Sequence, residues 1–320
     1  MDENLLERYS RQILFGEIGE AGQRRLLDSS AVLVGCGALG TALANLLVRA
    51  GVGRLRIVDR DFVEPSNLQR QTLFEEADAR ESLPKSVAAE RRLRAINSSV
   101  SVEGIVADLS PRNVHELLSG FSLILDGTDN FETRFLLNDA AIELNLPWIY
   151  AAVVASYGVT LTVRPGKTAC LACALDSDDA GGQESTQTRP AEDTCDTVGV
   201  LGPAAGVIAS IEAAEAMKLL LGKTESSGDR LISFDVWTGR FQSVLVTRNL
   251  ECRACVRREF RYLGGQAQPR LTMCGRDSVQ IHERSRELDL TALGRRLAST
   301  VTELRENGFL LRFRVPPPTK

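Results

Sequence analysis

The chain has 320 residues, 43% hydrophobic and 25% charged, with a formal charge of −4, seven cysteines and two histidines. That length accommodates one large α/β domain, or one large and one small, with an ample core. Mild acidity gives no electrostatic reason to expect nucleic acid as a partner, and a Ser-His-Asp triad or histidine-rich zinc hydrolase site would have to use His115 or His282.

The opening MDENLLERYS lacks a basic region followed by an apolar one, so export is not expected and the cytoplasm is. Short β-rich runs then alternate with amphipathic helical patterns, the signature of a parallel sheet covered by helices. Strands are expected at 31–35, 55–59, 100–106, 122–126 and 147–151, with helices at Leu39–Ala50, Lys85–Ile96 and Thr133–Leu144. After residue 156, GVTLTVRP, RLISFDVWTG and RFQSVLVTR read as antiparallel strands, the last two joined at Thr238–Gly239. A long helix is expected over 203–222, with Pro203 at its start and Gly222 at its end. Its apolar run is interrupted by Glu212, Glu215 and Lys218, so no membrane span is expected. Residues 177–194 are polar and read as a mobile surface loop. The expected division is a domain over 1–263, a linker over 264–269 and a small α+β appendage over 270–320, with a helix at about 288–306 and a last strand FLLRFRV that lacks a final hairpin.

Gly35-Cys36-Gly37-Ala38-Leu39-Gly40 places GxGxxG between a strand and a helix, where the backbone can approach a phosphate and a helix N-terminus faces it. Asp59 ends the next strand, 19 residues past Gly40, at the place of a ribose-binding acid. NAD, FAD and ATP all fit this much. The following stretch separates them: Asn67, Arg70, Gln71 and Lys85 cluster after the second strand, enough donors to grip a triphosphate. Asp126 and Asp129 in LDGTDN lie at the end of another parallel strand, where carboxylates suit Mg²⁺.

Cys170-Leu-Ala-Cys173 and Cys252-Arg-Ala-Cys255 are separated by 78 residues, more than a compact zinc ribbon, so spacing alone leaves zinc, redox chemistry and unligated thiols open. Arg253, Arg257, Arg258, Arg164 and Lys167 lie beside the pairs and offset the −2 charge of a Cys₄–zinc site. Cys36 reads as packed and inert and Cys274 as structural or incidental. Cys195 precedes the long helix, whose N-terminus favours thiolate, while Asp193 and Asp196 oppose it.

Together RYSRQILF (8–15), GCGALG (35–40), VDRDFVEPSNLQRQTLF (58–74), Pro84-Lys85, DGTDN (126–130), the CxxC pairs and TCDTVGVLGPAAGVIASIEAAEAMKLL (194–220) resemble the ThiF/MoeB family of ubiquitin-activating-type adenylyltransferases, over about residues 1–262. The resemblance implies a Rossmann-like α/β fold whose mostly parallel sheet is continued by antiparallel strands, with a structural zinc site. It implies ATP-dependent adenylation of the C-terminal Gly-Gly carboxylate of a ThiS- or MoaD-like sulfur carrier, in thiamine or molybdopterin synthesis. CGRDSVQI (274–281) resembles an appendage of some bacterial ThiF-like proteins and favours the thiamine route.

Residue by residue, the resemblance assigns ATP to Gly35, Gly37, Gly40, Asp59, Asp61, Ser66, Asn67, Leu68, Gln69, Arg70, Gln71, Lys85, Asp129 and Asn130, with Asp59 on the ribose and Asp129 linked to Mg²⁺. Arg11 would act as an arginine finger from the other subunit of a homodimer. Zn²⁺ would bind Cys170, Cys173, Cys252 and Cys255. Cys195 matches a position that bonds covalently to the carrier in some relatives and is dispensable in others. The sulfur donor would be a cysteine desulfurase or a rhodanese. The competing readings are an NAD-dependent oxidoreductase, a tRNA-modifying ATP-dependent dehydratase of the same superfamily, and a zinc-stabilised binding scaffold.

Overall fold

A computed structural model of the chain describes residues 3–175, 198–224, 228–265, 271–274, 278–281 and 288–316. Two helices, α1 (Glu3–Ile13) and α2 (Gly19–Leu27), lead into alternating strands and helices: β1 (Ser30–Val34), α3 (Ala38–Ala50), β2 (Arg54–Val58), α4 (Glu76–Glu81), α5 (Lys85–Ile96), β3 (Ser101–Ile105), α6 (Val114–Leu118), β4 (Leu123–Asp126), α7 (Phe131–Leu144) and β5 (Trp148–Val154). The chain continues through β6 (Tyr157–Val163), α8 (Leu171–Leu175), α9 (Gly202–Leu220), β7 (Arg230–Asp235) and β8 (Arg240–Leu245).

These strands form one eight-stranded sheet in the order β3-β2-β1-β4-β5-β6-β7-β8. Neighbours from β3 to β5 are parallel, and β5-β6, β6-β7 and β7-β8 are antiparallel. All of β4 and four residues of β1 are buried, because helices cover both faces. Leu33, Leu43, Leu47, Ile57 and Ile208 fill one layer; Val32, Leu118, Ile124, Leu137 and Trp148 fill the other. The chain proceeds from β1 to β2 and β3 on one side, then returns to β4 on the other. The crevice at the C-terminal ends of β1 and β4 is therefore the topological switch point where ligands bind in such sheets.

The expected elements recur with shifted ends that have local causes. β5 runs to Val154 because β6 pairs with it along its whole length, from Trp148↔Val163 to Val154↔Tyr157. α7 begins at Phe131, where the Asn130 side chain accepts the Thr133 N–H at 2.8 Å and caps the helix. α9 has Pro203 in its first turn. Past its last residue Gly222 adopts φ +75°, and the Gly222 and Lys223 N–H groups close on Leu219 O and Lys218 O at 2.9 Å.

The appendage differs from expectation. The helix read over 288–306 stops at Leu297 (α10, Leu290–Leu297), and residues 302–307 form a strand instead. β11 (Thr302–Asn307) pairs antiparallel with β12 (Leu310–Arg314), so a final hairpin is present. A second hairpin precedes α10, made of β9 (Leu271–Cys274) and β10 (Ser278–Ile281). The loop 177–194 and Cys195 lie outside the described residues, as do His282 and the side chain of Cys274.

Candidate nucleotide site and cysteine cluster

The three glycines of the loop after β1 do different work. Gly35 has φ +90°, and a Cβ there would lie 2.5 Å from the Gly127 backbone. A Cβ on Gly40 would meet Gly35 O at 2.1 Å, and one on Gly127 would meet the same oxygen at 2.3 Å. These residues lack side chains because the β1–α3 and β4–α7 turns pack backbone to backbone. Gly37 is different. The nearest atom to a Cβ there is Gln71 Nε2 at 3.9 Å, so its bare face borders open space at the head of α3. Amide groups at a helix start with room beside them suit a phosphate.

Asp59 closes β2 beside this loop. Its Oδ2 accepts the Cys36 N–H at 2.6 Å and its Oδ1 the Asp61 N–H at 2.7 Å, which clamps the loop to β2. Burial raises its pKa to about 6, opposed by the nearby Lys85 ammonium. Lys85 begins α5 and is buried. Its Nζ donates to Asp61 Oδ2 at 2.8 Å and its N–H to Asp61 O at 2.8 Å. Burial alone would lower the Lys85 pKa, but Asp59 and Asp61 outweigh it and hold the ammonium above its ordinary range. Burial pushes the Cys36 thiol well up, in keeping with a packed, inert cysteine.

Residues 64–72 form the other wall. Asn67 Oδ1 accepts the Glu64 N–H at 3.0 Å in a short turn over Pro65–Asn67, so any phosphate contact falls to its Nδ2. Ser66 Oγ turns to Glu64 at 3.4 Å, and Arg70 Nη1 donates to Ser66 O at 2.9 Å. Leu68 packs against the core, while Gln69 is exposed with its carbonyl beside the start of α9. Gln71 is buried, and its Oε1 has no hydrogen-bond partner. The Thr72 N–H bonds to Thr41 Oγ1 at 3.2 Å, fixing this segment against α3. The Gln71 amide thus turns its Nε2, a donor that suits a phosphate, toward the open side of Gly37, and its buried Oε1 is left for a donor that a ligand would supply.

The acid expectations divide at β4. Asp129 is exposed beyond the strand end, open to a ligand. Asp126 is fully buried: its Oδ1 accepts the Thr128 N–H and O–H at 2.9 and 2.7 Å, and its Oδ2 lies 3.7 Å from Arg134 Nε. It is thus a brace for the turn and not a carboxylate offered to a cation. Arg134 sits between the Phe131 and Tyr150 rings and donates to Thr128 O at 2.6 Å. Sequence reasoning missed Arg134, although it stands one helical turn beyond Asn130. It also missed Glu212 of α9, fully buried and raised far above the carboxylate range by burial and then by Asp126.

Arg11 is exposed on α1, far from this site. Tyr9 of the same helix packs on Gly51 at the far end of α3, and α3 is 13 residues, or about 20 Å, long. One protomer therefore does not bring Arg11 to its own glycine loop. His115 likewise lies elsewhere, on α6 against Glu143 at 2.5 Å.

The four paired cysteines converge. Cys170 and Cys173 come from the turn and helix at α8, and Cys252 and Cys255 from the turns after β8. Their sulfurs lie within 4.8 Å of one another, with close pairs at 3.8, 3.7 and 3.5 Å. Tetrahedral zinc with bonds of about 2.3 Å needs sulfurs about 3.8 Å apart, so the donor set fits the metal. Arg248, which sequence reasoning passed over, faces the cluster and donates to Cys255 O at 3.0 Å.

Residues 9–254 match the ThiF family. The chain belongs to that family. It is similar to the sulfur carrier protein ThiS adenylyltransferase of Bacillus subtilis, at 44% identity over 311 residues, covering 96% of this chain and 89% of that protein. Similarity to the SAMP-activating enzyme E1 of Haloferax volcanii is 38% over 255 residues, covering 80% of this chain and 90% of that one. Among solved structures, Escherichia coli MccB with ATP matches at a TM-score of 0.65 and 25% identity, covering 78% of this chain and 74% of that chain. The ThiF match spans the glycine loop and Cys170, Cys173 and Cys252, and ends one residue before Cys255.

Proposed function

We propose that this chain adenylates the C-terminal Gly-Gly carboxylate of a ubiquitin-like sulfur-carrier protein with ATP and releases pyrophosphate. The observation that carries the reading is the cradle at Gly37: an open glycine face at a helix start, with buried Lys85 nearby and the Nε2 of buried Gln71 beside it. The ThiS adenylyltransferase relative supports this choice of reaction.

The chemistry suits these residues. A C-terminal carboxylate, with a pKa of about 3.5, arrives ionised, so no general base is needed and the position of His115 away from the crevice costs nothing. The task is to bring two anions together. Asp59 holds the ribose, and Lys85, Arg70 and the Nδ2 of Asn67 hold the phosphates, with Ser66, Gln69 and Gln71 lining the wall. Leu68 serves this wall from the core side. Asp129 and Asn130 complete the site, Asp129 holding Mg²⁺, which would offset phosphate charge when bound. Arg11 serves the neighbouring subunit's site in a homodimer, a role that fits its distance from its own glycine loop. Cys170, Cys173, Cys252 and Cys255 hold a structural zinc.

Cys195 forms the covalent link to the carrier in sulfur transfer, the donor being a cysteine desulfurase or a rhodanese. The route is thiamine synthesis, and the setting is the cytoplasm; among the described residues no helix is long and apolar enough to cross a membrane. Residues 1–263 form the adenylating unit, 264–269 a linker and 270–320 an appendage. Incubation with ATP, Mg²⁺ and a ThiS-like carrier should add one AMP to the carrier's mass, and a carrier lacking its last glycine should gain none. AMP on the truncated carrier, or on neither, would overturn the reading.

A further inference from the structure

α4 ends in a strained way. Its C-cap, Ser82, has φ 50° and ψ 47°, a left-handed conformation that a residue with a Cβ enters only at a cost. The Ser82 and Leu83 N–H groups close back on Ala79 O and Asp78 O at 3.3 and 3.0 Å. The carbonyls of Glu81 and Ser82 point outward, and both accept from one group far away in sequence: Asn307 Nδ2, at 2.9 Å to each. Asn307 ends β11. Its Oδ1 accepts the Phe309 and Leu310 N–H groups at 3.2 and 2.9 Å, so the amide closes the β11–β12 hairpin with one end and grips the α4 turn with the other.

From that turn the chain has no slack before the nucleotide site. Leu83 O accepts the Val63 N–H at 2.8 Å, Pro84 bridges to Phe62, and Lys85 follows, bonded through both its N–H and its Nζ to Asp61. The hairpin lies beyond the ThiF match.

We infer that Asn307 is a positioning residue: through Ser82 the C-terminal hairpin sets the start of α5, and with it the Lys85 ammonium, for the phosphates of ATP. This rests on the reading that Lys85 holds those phosphates. The appendage thereby tunes nucleotide affinity without touching the nucleotide.

The test uses the full-length protein and ATP with Mg²⁺ as the probe. Asn307→Asp keeps the oxygen that closes the hairpin but removes both donors and sets a carboxylate oxygen against two carbonyls. The Kd for ATP should weaken about five-fold to ten-fold, while carrier-dependent pyrophosphate exchange at saturating ATP keeps its rate. Asn307→Ala, which adds no repulsion, should weaken binding in the same direction by less. Adding Ser82→Gly, which removes the cost of the left-handed turn, should restore most of the affinity to Asn307→Asp. An ATP Kd within about two-fold of the parent in both single variants overturns the inference, as does a loss confined to the saturated rate. If the parent binds ATP but exchanges with no carrier, the adenylation reading fails, while the ratio of Kd values still decides the role of Asn307.

Discussion

Replacing Gly37 by alanine adds one methyl group to the face that borders the open space beside Gln71. The nearest atom, Gln71 Nε2, is 3.9 Å away, an ordinary contact, and the backbone there has φ −86°, so the methyl clashes with no protein atom. Stability should change by no more than about 0.5 kcal/mol. The same methyl occupies the volume assigned to a phosphate. Its intrusion should weaken ATP binding at least ten-fold, about 1.4 kcal/mol. Gly40→Ala makes the converse change. Its methyl would sit 2.1 Å from Gly35 O, a backbone atom that moves only with the whole turn, at a cost of about 1–3 kcal/mol of stability. Urea unfolding and ATP titration calorimetry on the two variants separate these effects. Equal loss of stability in both, or unaltered ATP affinity in Gly37→Ala, would refute the assignment of the cradle.

Three further outcomes follow from the geometry. Burial holds the Asp126 pKa at about 6, above its unfolded value, so the folded state keeps that proton longer and this group's contribution to stability falls as pH rises from about 4 to about 6. Asp126→Asn should therefore gain stability relative to the parent between pH 4.5 and 7, on the order of 2 kcal/mol by urea unfolding; a gap that narrows or is flat contradicts the buried-brace reading. Arg11→Ala and Lys85→Ala should each lose exchange activity. Mixing them after subunit exchange should restore about a quarter of the parent's sites, because half the dimers are mixed and each holds one intact site; no recovery would place Arg11 outside the site. Purified protein should contain one zinc per chain, and Cys252→Ser/Cys255→Ser should lose the metal and unfold at markedly lower temperature; full stability without zinc would sink the structural role.

The glycine loop was legible because backbone contacts impose it. Gly35 and Gly40 are required wherever two turns pack this closely, and Asp59 follows from the end of β2. The sequence showed no difference between those glycines and Gly37, since all are equally bare; the packing of Gly35 on Gly127 and of Gly40 on the Gly35 carbonyl separates them. The cysteines were legible as two pairs but not as one cluster, because 78 intervening residues say nothing about convergence. Asp126 misled because its place at a strand end resembles that of an exposed ligand. Its burial depends on Arg134 and Glu212, which arrive from α7 and α9. In the appendage, TELREN carries good helix formers, yet pairing with residues 310–314 overrides local propensity. The Asn307–Gly308 step was the available sign of a turn.

The central claim is that a carrier's free C-terminal carboxylate attacks ATP bound at Gly37, Asp59 and Lys85. ATP–pyrophosphate exchange measured with purified ThiS-like carrier tests it most directly. The account predicts exchange that depends on the carrier, needs its unblocked terminal Gly-Gly, and is lost in Lys85→Ala. Exchange that proceeds equally without carrier, or binding of NAD with no binding of ATP, would contradict it.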